Sequence, residues 1–197
     1  MIKTIISASA LLALACPAFA QSTGTGGTAD LLVQYDTHGY SETSVTETAT
    51  GKITGNGEGA PGHNSMVNLQ SQAGTVNGQI FGRFLNLTCT AQSCSSQNAT
   101  EVNIQVTNSN GAVHLDGTFN YNFVHVTLSQ NKISVSTNSA NFDLTRQSNG
   151  TFTGEGADST QSLDPGFDVI YTATGSFQNL AQNPALALAV LVSPFVH

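Results

Sequence analysis

The chain carries little charge, and very little of it is positive. Its 197 residues include 5 Lys and Arg against 12 Asp and Glu, which gives a formal net charge of −7. A protein that binds nucleic acid needs a basic surface to neutralise several phosphates, so this composition excludes nucleic acid as a partner. Polarity comes instead from 20 Ser, 24 Thr, 17 Asn and 13 Gln, and we expect a surface of hydroxyl and amide groups.

Tryptophan is absent, and the chain has only 4 Tyr against 10 Phe. Binding of a sugar by stacking needs a flat aromatic ring with one apolar face and a polar edge, a role suited to Trp and Tyr. The candidates for such a platform are therefore few: Tyr35, Tyr40, Tyr121 and Tyr171. The Phe residues are expected to build the hydrophobic core.

Long apolar runs are lacking too, and the first short run is typical of a signal peptide at residues 1–20. Lys3 precedes an apolar stretch at residues 5–15, and Ala-Phe-Ala at residues 18–20 supplies the small side chains of a cleavage site. We expect cleavage after Ala20 and a secreted or periplasmic protein. The run is too short to cross a bilayer, which takes about 20 apolar residues, so no membrane span is predicted.

Cysteine is scarce, and one of the three residues falls within the signal peptide. Cys16 sits in a partial lipoprotein signal, but Ala13 replaces the preferred Leu and Pro17 follows directly, so we expect no lipid anchor there. Cys89 and Cys94 then remain, and two neighbouring cysteines in an exported chain favour a disulfide over free thiols. A zinc site is disfavoured because no second Cys/His pair follows at the required spacing.

After the signal peptide we predict a flexible Gly- and Thr-rich leader at residues 21–29 and a single all-β domain at residues 30–197. Apolar and polar residues alternate along this domain, as at Val102, Ile104 and Val106. Turn signals such as the Asn-Gly pairs separate the alternating segments. Roughly ten such segments indicate an antiparallel β-sandwich or an up-and-down β-barrel.

Three segments depart from simple alternation. Residues 80–85 carry apolar side chains on both faces, which favours a central strand covered on both sides. Near Asn122 the apolar residues change from odd to even numbers, which requires a bulge or a turn. Residues 185–192 consist of Ala alternating with larger apolar residues. The sequence of this segment is compatible with a buried helix or with a final core strand, and the alternation favours the strand.

Two Gly-rich segments resemble each other. Residues 51–54 match residues 150–153, and residues 57–60 match residues 154–157, with residues 55–56 as an insertion. The match indicates equivalent hairpin ends in two parts of the chain. It does not extend into the flanking residues, and no fixed repeat period appears elsewhere.

The same Gly-rich segments contain the candidate ligands for a calcium ion. Ca²⁺ takes several oxygen ligands from a bendable backbone, and Glu58, Glu155 and Asp158 meet this requirement if the two segments converge. The alternative is that they are solvated turn carboxylates. Residues 57–62 also satisfy the G-x-G-x-x-G pattern, but Pro61 removes an amide and no helical pattern follows, so dinucleotide binding is not predicted.

Histidines provide a second candidate metal site. His38 follows Asp36 at a spacing of two, and His114 precedes Asp116 at the same spacing, so each pair shares one strand face. His125 lies on a nearby segment. Three imidazoles that converge would bind a divalent metal, although histidines on a strand surface more commonly bind none.

The sequence lacks the common motifs of nucleophilic catalysis, so no catalytic residue is assigned. The chain has no G-x-S-x-G motif, and bridged cysteines cannot act as nucleophiles. We predict a non-enzymatic binding or structural module, adhesin- or filament-like, that contacts other protein chains or a surface ligand through sheet edges or loops. The alternatives are a barrel that carries a small apolar ligand and a secreted hydrolase of unknown type.

Overall fold

The computed structural model describes residues 26–35, 39–58, 64–72, 74–96, 101–158 and 166–196. In these ranges the chain is almost entirely β, and 14 antiparallel strands form one closed barrel in which each strand pairs with its neighbours in sequence. The last strand pairs with the first, Val169 opposite Val33. The predicted all-β class is confirmed, and the architecture is the barrel, not the sandwich. The predicted signal peptide and Cys16 lie outside the described residues.

The barrel wall is built from these strands: β1 (Gly27–Tyr35), β2 (Tyr40–Glu47), β3 (Lys52–Glu58), β4 (Asn64–Gln72), β5 (Thr75–Ile80), β6 (Arg83–Cys89), β7 (Ser93–Ser96), β8 (Val102–Ser109), β9 (Ala112–Phe119), β10 (Asn122–Leu128), β11 (Lys132–Thr137), β12 (Ala140–Arg146), β13 (Phe152–Asp158) and β14 (Gly166–Ala173). Because β1 begins at Gly27, the last three residues of the predicted leader belong to the domain.

Ring closure changes two of the sequence-based predictions. The wall has 14 strands instead of roughly ten, since several strands carry Gly, Thr or Ser on their inward face and do not show apolar alternation; β3 is an example. Each of the 14 strands is paired on both sides. A closed barrel has no edge strands, so the prediction that partners are contacted through sheet edges is wrong. Of the predicted contact surfaces, the turns and loops at the two ends of the barrel remain.

Inward side chains are apolar and buried, and outward side chains are mostly polar. On β8, Val102, Ile104 and Val106 point inward and are buried, whereas Asn103 and Gln105 point outward and are exposed. The other strands follow the same two-residue period. The outer wall therefore presents hydroxyl, amide and carboxylate groups, and the barrel interior is the hydrophobic core.

The barrel interior contains the C-terminal part of the chain. After a 3-10 helical stretch, Gly175–Gln182, residues 184–196 form a continuous inner segment: α1 (Pro184–Ala187), a π-helical turn (Leu188–Val192) and a 3-10 turn (Ser193–Phe195). Ala185 to Val192 have at most 2% of their surface exposed. The described part of the chain has no helix long and apolar enough to cross a membrane.

The inner segment is helical because a helix satisfies its own backbone. Inside a ring whose strands are already paired on both sides, a further strand would find few partners for its N–H and C=O groups. Asn183 caps the helix, with its side chain accepting a hydrogen bond from the Leu186 N–H at 3.3 Å, and Pro184 occupies the first turn. The preference for a strand in this segment was therefore wrong.

The two ends of the barrel are distinguished by how the inner segment runs. We call the end with the β5–β6 and β9–β10 turns the upper end, and the end with the β2–β3 and β12–β13 turns the lower end. The inner segment enters from the lower end and finishes at the upper end, where the Arg83 guanidinium donates to the Val196 carbonyl at 2.6 Å. There Phe195 also packs on the rings of Phe142 and Phe167.

The two similar Gly-rich segments are equivalent in structure, but without the insertion we predicted. The β2–β3 turn is closed by bonds from Thr48 N to Lys52 O and from Gly51 N to Thr48 O, and the β12–β13 turn by the same pair of bonds 99 residues later. Both turns use a glycine with positive φ, at Gly51 and Gly150. Residues 51–58 therefore align with residues 150–157 without a gap.

Glycines on the inward face allow neighbouring strands to approach closely. A methyl group at Gly154 would overlap the backbone oxygen of Asp143 on β12, and one at Gly55 would overlap that of Ser44 on β2. These two glycines occupy the same position in the equivalent hairpins. Glycines at such points let a sheet bend into a closed wall.

The predicted disulfide is confirmed. Cys89 and Cys94 lie directly opposite each other on β6 and β7 and are bridged. The bridge closes the hairpin end at the shortest strand of the barrel, with Cys94 buried in the core. It encloses a short loop, so its effect on the unfolded chain amounts to about 2 kcal/mol.

Replacing Tyr171 with Phe is expected to lower the free energy of unfolding by about 1–2 kcal/mol. The Tyr171 hydroxyl is buried and donates to the Phe177 carbonyl at 2.9 Å, which ties β14 to the 3-10 stretch below the barrel. Urea unfolding followed by circular dichroism measures the change. Burial also raises the pKa of Tyr171 far above its usual value, with the nearby Asp30 charge as a smaller cause.

Because of this raised pKa, the free energy of unfolding should depend on pH differently in the wild type and in the Tyr171→Phe variant. Above about pH 10 the unfolded chain loses the phenol proton that the folded chain retains, so stability falls as pH rises. The wild-type barrel should therefore lose more stability between pH 9 and pH 11 than the Phe variant. Equal losses would contradict the assignment of this pH dependence to Tyr171.

Candidate functional site

The predicted calcium ligands do not lie on neighbouring strands. Glu58 is the last residue of β3, and Glu155 and Asp158 belong to β13. Three strands, β2, β1 and β14, separate β3 from β13 in the ring, which corresponds to about 19 Å along the wall at the usual strand spacing. Glu155 points outward and is exposed. The strands that carry these three residues thus stand apart in the wall.

Two of the three predicted histidine ligands do lie together. His114 on β9 and His125 on β10 share the outer face of the wall, and their ring centroids are 6.5 Å apart. His38 lies outside the described residues. Within the ranges that the structure covers, no three His, Cys, Asp or Glu side chains are placed so that they could hold a metal ion.

The two histidines are engaged by different partners. The His125 Nδ1 atom contacts a carboxylate oxygen of Asp116 on the neighbouring strand. The His114 ring lies between two hydroxyls, with Nε2 at 3.0 Å from Ser109 Oγ and Nδ1 at 3.1 Å from Thr127 Oγ1. Asp116 therefore orients His125, while His114 has a hydroxyl partner where a Ser-His-Asp triad would have a carboxylate.

The Ser109–His114 pair has part of what nucleophilic catalysis needs. With the proton on Nδ1, His114 would donate to Thr127 and accept the Ser109 proton at Nε2, which is the polarity of a nucleophile with its general base. The pair lies on the convex outer wall, and Ser109 is exposed. Such a position leaves water free to compete and provides no enclosed site for a substrate.

Three carboxylates face one another across β12, β13 and β14. Asp143 lies opposite Glu155, and Glu155 lies opposite Asp168. A hydrogen bond from Ser134, together with Lys132 at 3.1 Å, lowers the pKa of Asp143. Like charges directly opposite each other on neighbouring strands repel, so this acidic row places concentrated negative charge on one side of the wall.

Large apolar side chains are exposed at the upper end, a feature that the sequence analysis missed. In the described ranges six large apolar side chains are exposed, and five of them have between 54% and 86% of their surface in contact with solvent and lie at or near the upper ends of their strands: Tyr40, Met66, Phe84, Tyr121 and Phe123. The sixth, Ile170, is 37% exposed and lies midway along β14. We call the set of five the apolar rim.

The β9–β10 turn holds part of the rim in a strained conformation. Asn120 and Tyr121 have φ values of 48° and 63°, and a Tyr in this left-handed region costs about 1–2 kcal/mol. The turn is fixed by bonds from Asn122 Nδ2 to the Asn120 carbonyl at 3.0 Å and from Phe123 N to Asn138 Oδ1 at 3.2 Å. The Tyr121 and Phe123 rings are therefore presented outward on a well-defined turn.

The β5–β6 turn repeats this arrangement. Phe81 has a φ of 50° and is followed by Gly82 at 76°. The Phe81 ring packs inward over Gly57 of β3, in space that any side chain there would fill, whereas Phe84 is the most exposed member of the rim. Residues 80–85, predicted as one central strand, are thus divided between the end of β5, a turn at Phe81 and Gly82, and the start of β6. Phe81 and Phe84 point in opposite directions.

One sequence signal could have revealed the rim. The phase change at Asn122 was predicted correctly, and it coincides with the β9–β10 turn. If Phe119 and Val124 both point inward, Phe123 must point outward, because side chains alternate along a strand.

Comparison with known proteins does not indicate a function: no protein family, curated protein or solved structure matches the chain.

Proposed function

We propose that the chain is an exported binding or structural module that contacts its partners through the apolar rim. The observation that carries the proposal is the position of the rim: five large apolar side chains, four of them more than 70% exposed, lie at one end of an otherwise polar outer wall. Large apolar side chains exposed at the same end of a protein are typical of an interaction surface.

The energetics of the rim support this role. Each aromatic ring can bury about 150–250 Å² in a contact, and Tyr and other aromatic residues dominate the energy of many interfaces. Tyr121 is held out in water at a backbone conformation that itself costs free energy. Strain of this kind is found where a residue is held for function, and the closed wall below the turn provides a rigid support.

Export is part of the proposal. The apolar stretch and small residues at residues 1–20 have the pattern of a signal peptide. The Cys89–Cys94 disulfide is consistent with an oxidising compartment. A periplasmic or cell-surface location would also suit a wall of hydroxyl and amide groups with few basic residues.

The filled interior disfavours the alternative in which the barrel carries a small apolar ligand. The space that a small apolar ligand would occupy in a barrel is filled here by residues 184–196, whose side chains form the centre of the core. A ligand would have to displace this segment together with its apolar contacts. The Ser109–His114 pair, the feature closest to a hydrolase, lies on the open wall away from the rim.

Binding of labelled chain to the cell-envelope fraction of its source organism tests the proposal. Phe84→Ser combined with Tyr121→Asn should reduce bound chain about tenfold. Asn is chosen because it tolerates the left-handed backbone at this position. Ile170→Ser, which removes an exposed apolar side chain away from the rim, is the matched control and should bind as the wild type does. Equal loss in both variants, or binding by neither variant nor wild type, would overturn the proposal.

A further inference from the structure

His114 and His125 occupy diagonal positions on the outer face of two neighbouring strands. In the register of β9 and β10, His114 lies opposite Thr127, and Asp116 lies opposite His125. The four side chains therefore form one group on the outer face, with the two histidines on one diagonal. Their ring centroids are 6.5 Å apart, and the ring planes are inclined by 32° to each other.

Each histidine is oriented through its Nδ1 atom by the residue opposite it. The His125 Nδ1 atom contacts a carboxylate oxygen of Asp116, and the His114 Nδ1 atom lies 3.1 Å from Thr127 Oγ1. An ionised carboxylate can only accept a hydrogen bond, so the neutral His125 ring carries its proton on Nδ1 and its lone pair on Nε2. With the Thr127 hydroxyl as acceptor, His114 adopts the same tautomer. A histidine that ligates a metal through one nitrogen usually donates from the other nitrogen to such a partner.

The two rings lie where water and small ions reach them. The His125 side chain is 55% exposed. The His114 Nε2 atom lies 3.0 Å from Ser109 Oγ, and Ser109 itself is exposed. A serine hydroxyl moves away from the ring by rotation about a single bond, so an ion that approaches from solvent can replace it at the Nε2 lone pair.

Binding of one ion by both imidazoles requires a small change in side-chain position. With metal–nitrogen distances of about 2.0 Å and two ligands at neighbouring coordination positions, the ring centroids would be about 4.5–5 Å apart. The rings must therefore approach each other by about 1.5–2 Å. Rotation about side-chain bonds is sufficient for this, because both rings stand on the outer face, and the pairing of β9 with β10 is unchanged.

The charges around the two histidines favour a cation. The Asp116 carboxylate lies beside His125, and it would attract a metal ion bound to that ring. At the same level on the flanking strands β8 and β11, the four outward residues are uncharged: Gln105, Thr107, Ser134 and Ser136. None of these four positions therefore places a positive charge against the ion.

We propose that His114 and His125 bind one copper(II) ion through their Nε2 atoms, with Asp116 as the residue that positions His125. Imidazole ligands suit copper, zinc and nickel, and among these divalent ions copper(II) binds a given set of nitrogen ligands most tightly. Copper(II) also accepts a square-planar set of nitrogen and oxygen ligands, which two imidazoles and two water molecules supply. Structural zinc sites, in contrast, use four protein ligands. This site is separate from the apolar rim and does not depend on the proposed function.

Titration with Cu²⁺ of the purified chain, processed at Ala20 and freed of metal with a chelator, tests the proposal. Pulsed electron paramagnetic resonance, which counts the imidazoles bound to copper(II), should show two imidazoles on the first ion bound. His114→Gln and His125→Gln should each weaken binding at least tenfold and leave one imidazole on the ion. Zn²⁺ should bind the wild type more weakly than Cu²⁺.

The three other histidines provide a matched control. Replacing His38, His63 and His197 with Gln removes every imidazole except the two of the site, so this variant should bind Cu²⁺ as the wild type does and keep the signal of two imidazoles. Asp116→Asn should weaken binding about 10–100-fold while two imidazoles remain bound. Ser109→Ala should bind at least as tightly as the wild type, because no hydroxyl then competes for the His114 lone pair.

Each contrary result identifies what is wrong. A wild-type spectrum with fewer than two imidazoles, or full affinity in His114→Gln or His125→Gln, overturns the site. Loss of the signal of two imidazoles in the control variant means that the ion lies elsewhere and overturns it too. Unchanged affinity in Asp116→Asn overturns the positioning role of that residue. Circular dichroism and urea unfolding of each variant show that the barrel is intact, and the wild-type spectrum tests the site without any variant.

The proposed function is tested by a different measurement, so the two can fail separately. Binding to the cell-envelope fraction depends on the apolar rim, and His114→Gln and His125→Gln should bind this fraction as the wild type does. If the rim variant loses this binding while the wild type binds no copper(II), the proposed function stands and the copper site does not. If the copper site is present and the rim variant binds as the wild type does, the reverse holds.

Discussion

Replacing Leu188 with Asp should abolish folding of the barrel. Leu188 is fully buried in the π-helical turn of the inner segment, among apolar side chains that line the wall. A carboxylate there would be removed from water without a partner, at a cost of several kcal/mol or more. Domains of this size are stable by about 5–15 kcal/mol, so this penalty, added to the loss of the Leu contacts, removes most or all of that stability.

A milder substitution at the same position provides a graded measurement. Leu188→Ala should lower the free energy of unfolding by about 2–5 kcal/mol through lost apolar burial and the cavity left behind. Urea unfolding followed by circular dichroism measures both variants, and Ile170→Asp on the outer wall is the control that keeps its native transition. A folded Asp variant with a wild-type midpoint would contradict the position of the inner segment within the core.

The second large effect is expected at Gly154. A Cβ atom at this position would overlap the backbone oxygen of Asp143, which cannot move without disturbing the pairing of β12 and β13. Gly154→Ala should therefore lower the free energy of unfolding by about 3 kcal/mol or more. Since Gly55 has the same surroundings in the β2–β3 hairpin, Gly55→Ala should have a similar effect.

Gly150 in the turn of the same hairpin is the matched control. It has a φ of +89° but open space around the position of a Cβ atom. Gly150→Ala thus tests backbone strain alone and should lower the free energy of unfolding by about 1–2 kcal/mol. Urea midpoints of the variants give the comparison. If Gly154→Ala cost no more than Gly150→Ala, close approach of the two strands would not be what requires glycine at this position.

The fold class could be predicted from the sequence because most strands bury one face only. In β8 and β11 strict alternation of apolar and polar residues shows both the strand and its inward face. Alternation does not reveal a strand whose inward face needs small residues, such as β3, which carries Gly55 and Gly57 inward. It also fails for the inner segment, because Ala and larger residues in alternation cannot distinguish a strand from a helix that is buried on every side.

The candidate site was harder to predict than the fold. The pairing of His125 with Asp116 depends on the register of β9 and β10, which periodicity does not give. The apolar rim depends on where the turns fall: a shift of one residue at Phe81 or Tyr121 would exchange inward and outward rings. Turns with positive φ at non-glycine residues lack the usual sequence signature, which is why residues 80–85 were predicted as a strand.

Closure of the wall has a consequence for the order in which we expect the strands to pair. Most strand pairs are local hairpins, which form within microseconds, but β1 and β14 join residues about 140 positions apart, such as Ala29 and Ala173. Bringing together partners so distant in sequence carries the largest loop-entropy cost in the molecule. Joining β1 to β14 is therefore expected to be a late and slow event in folding.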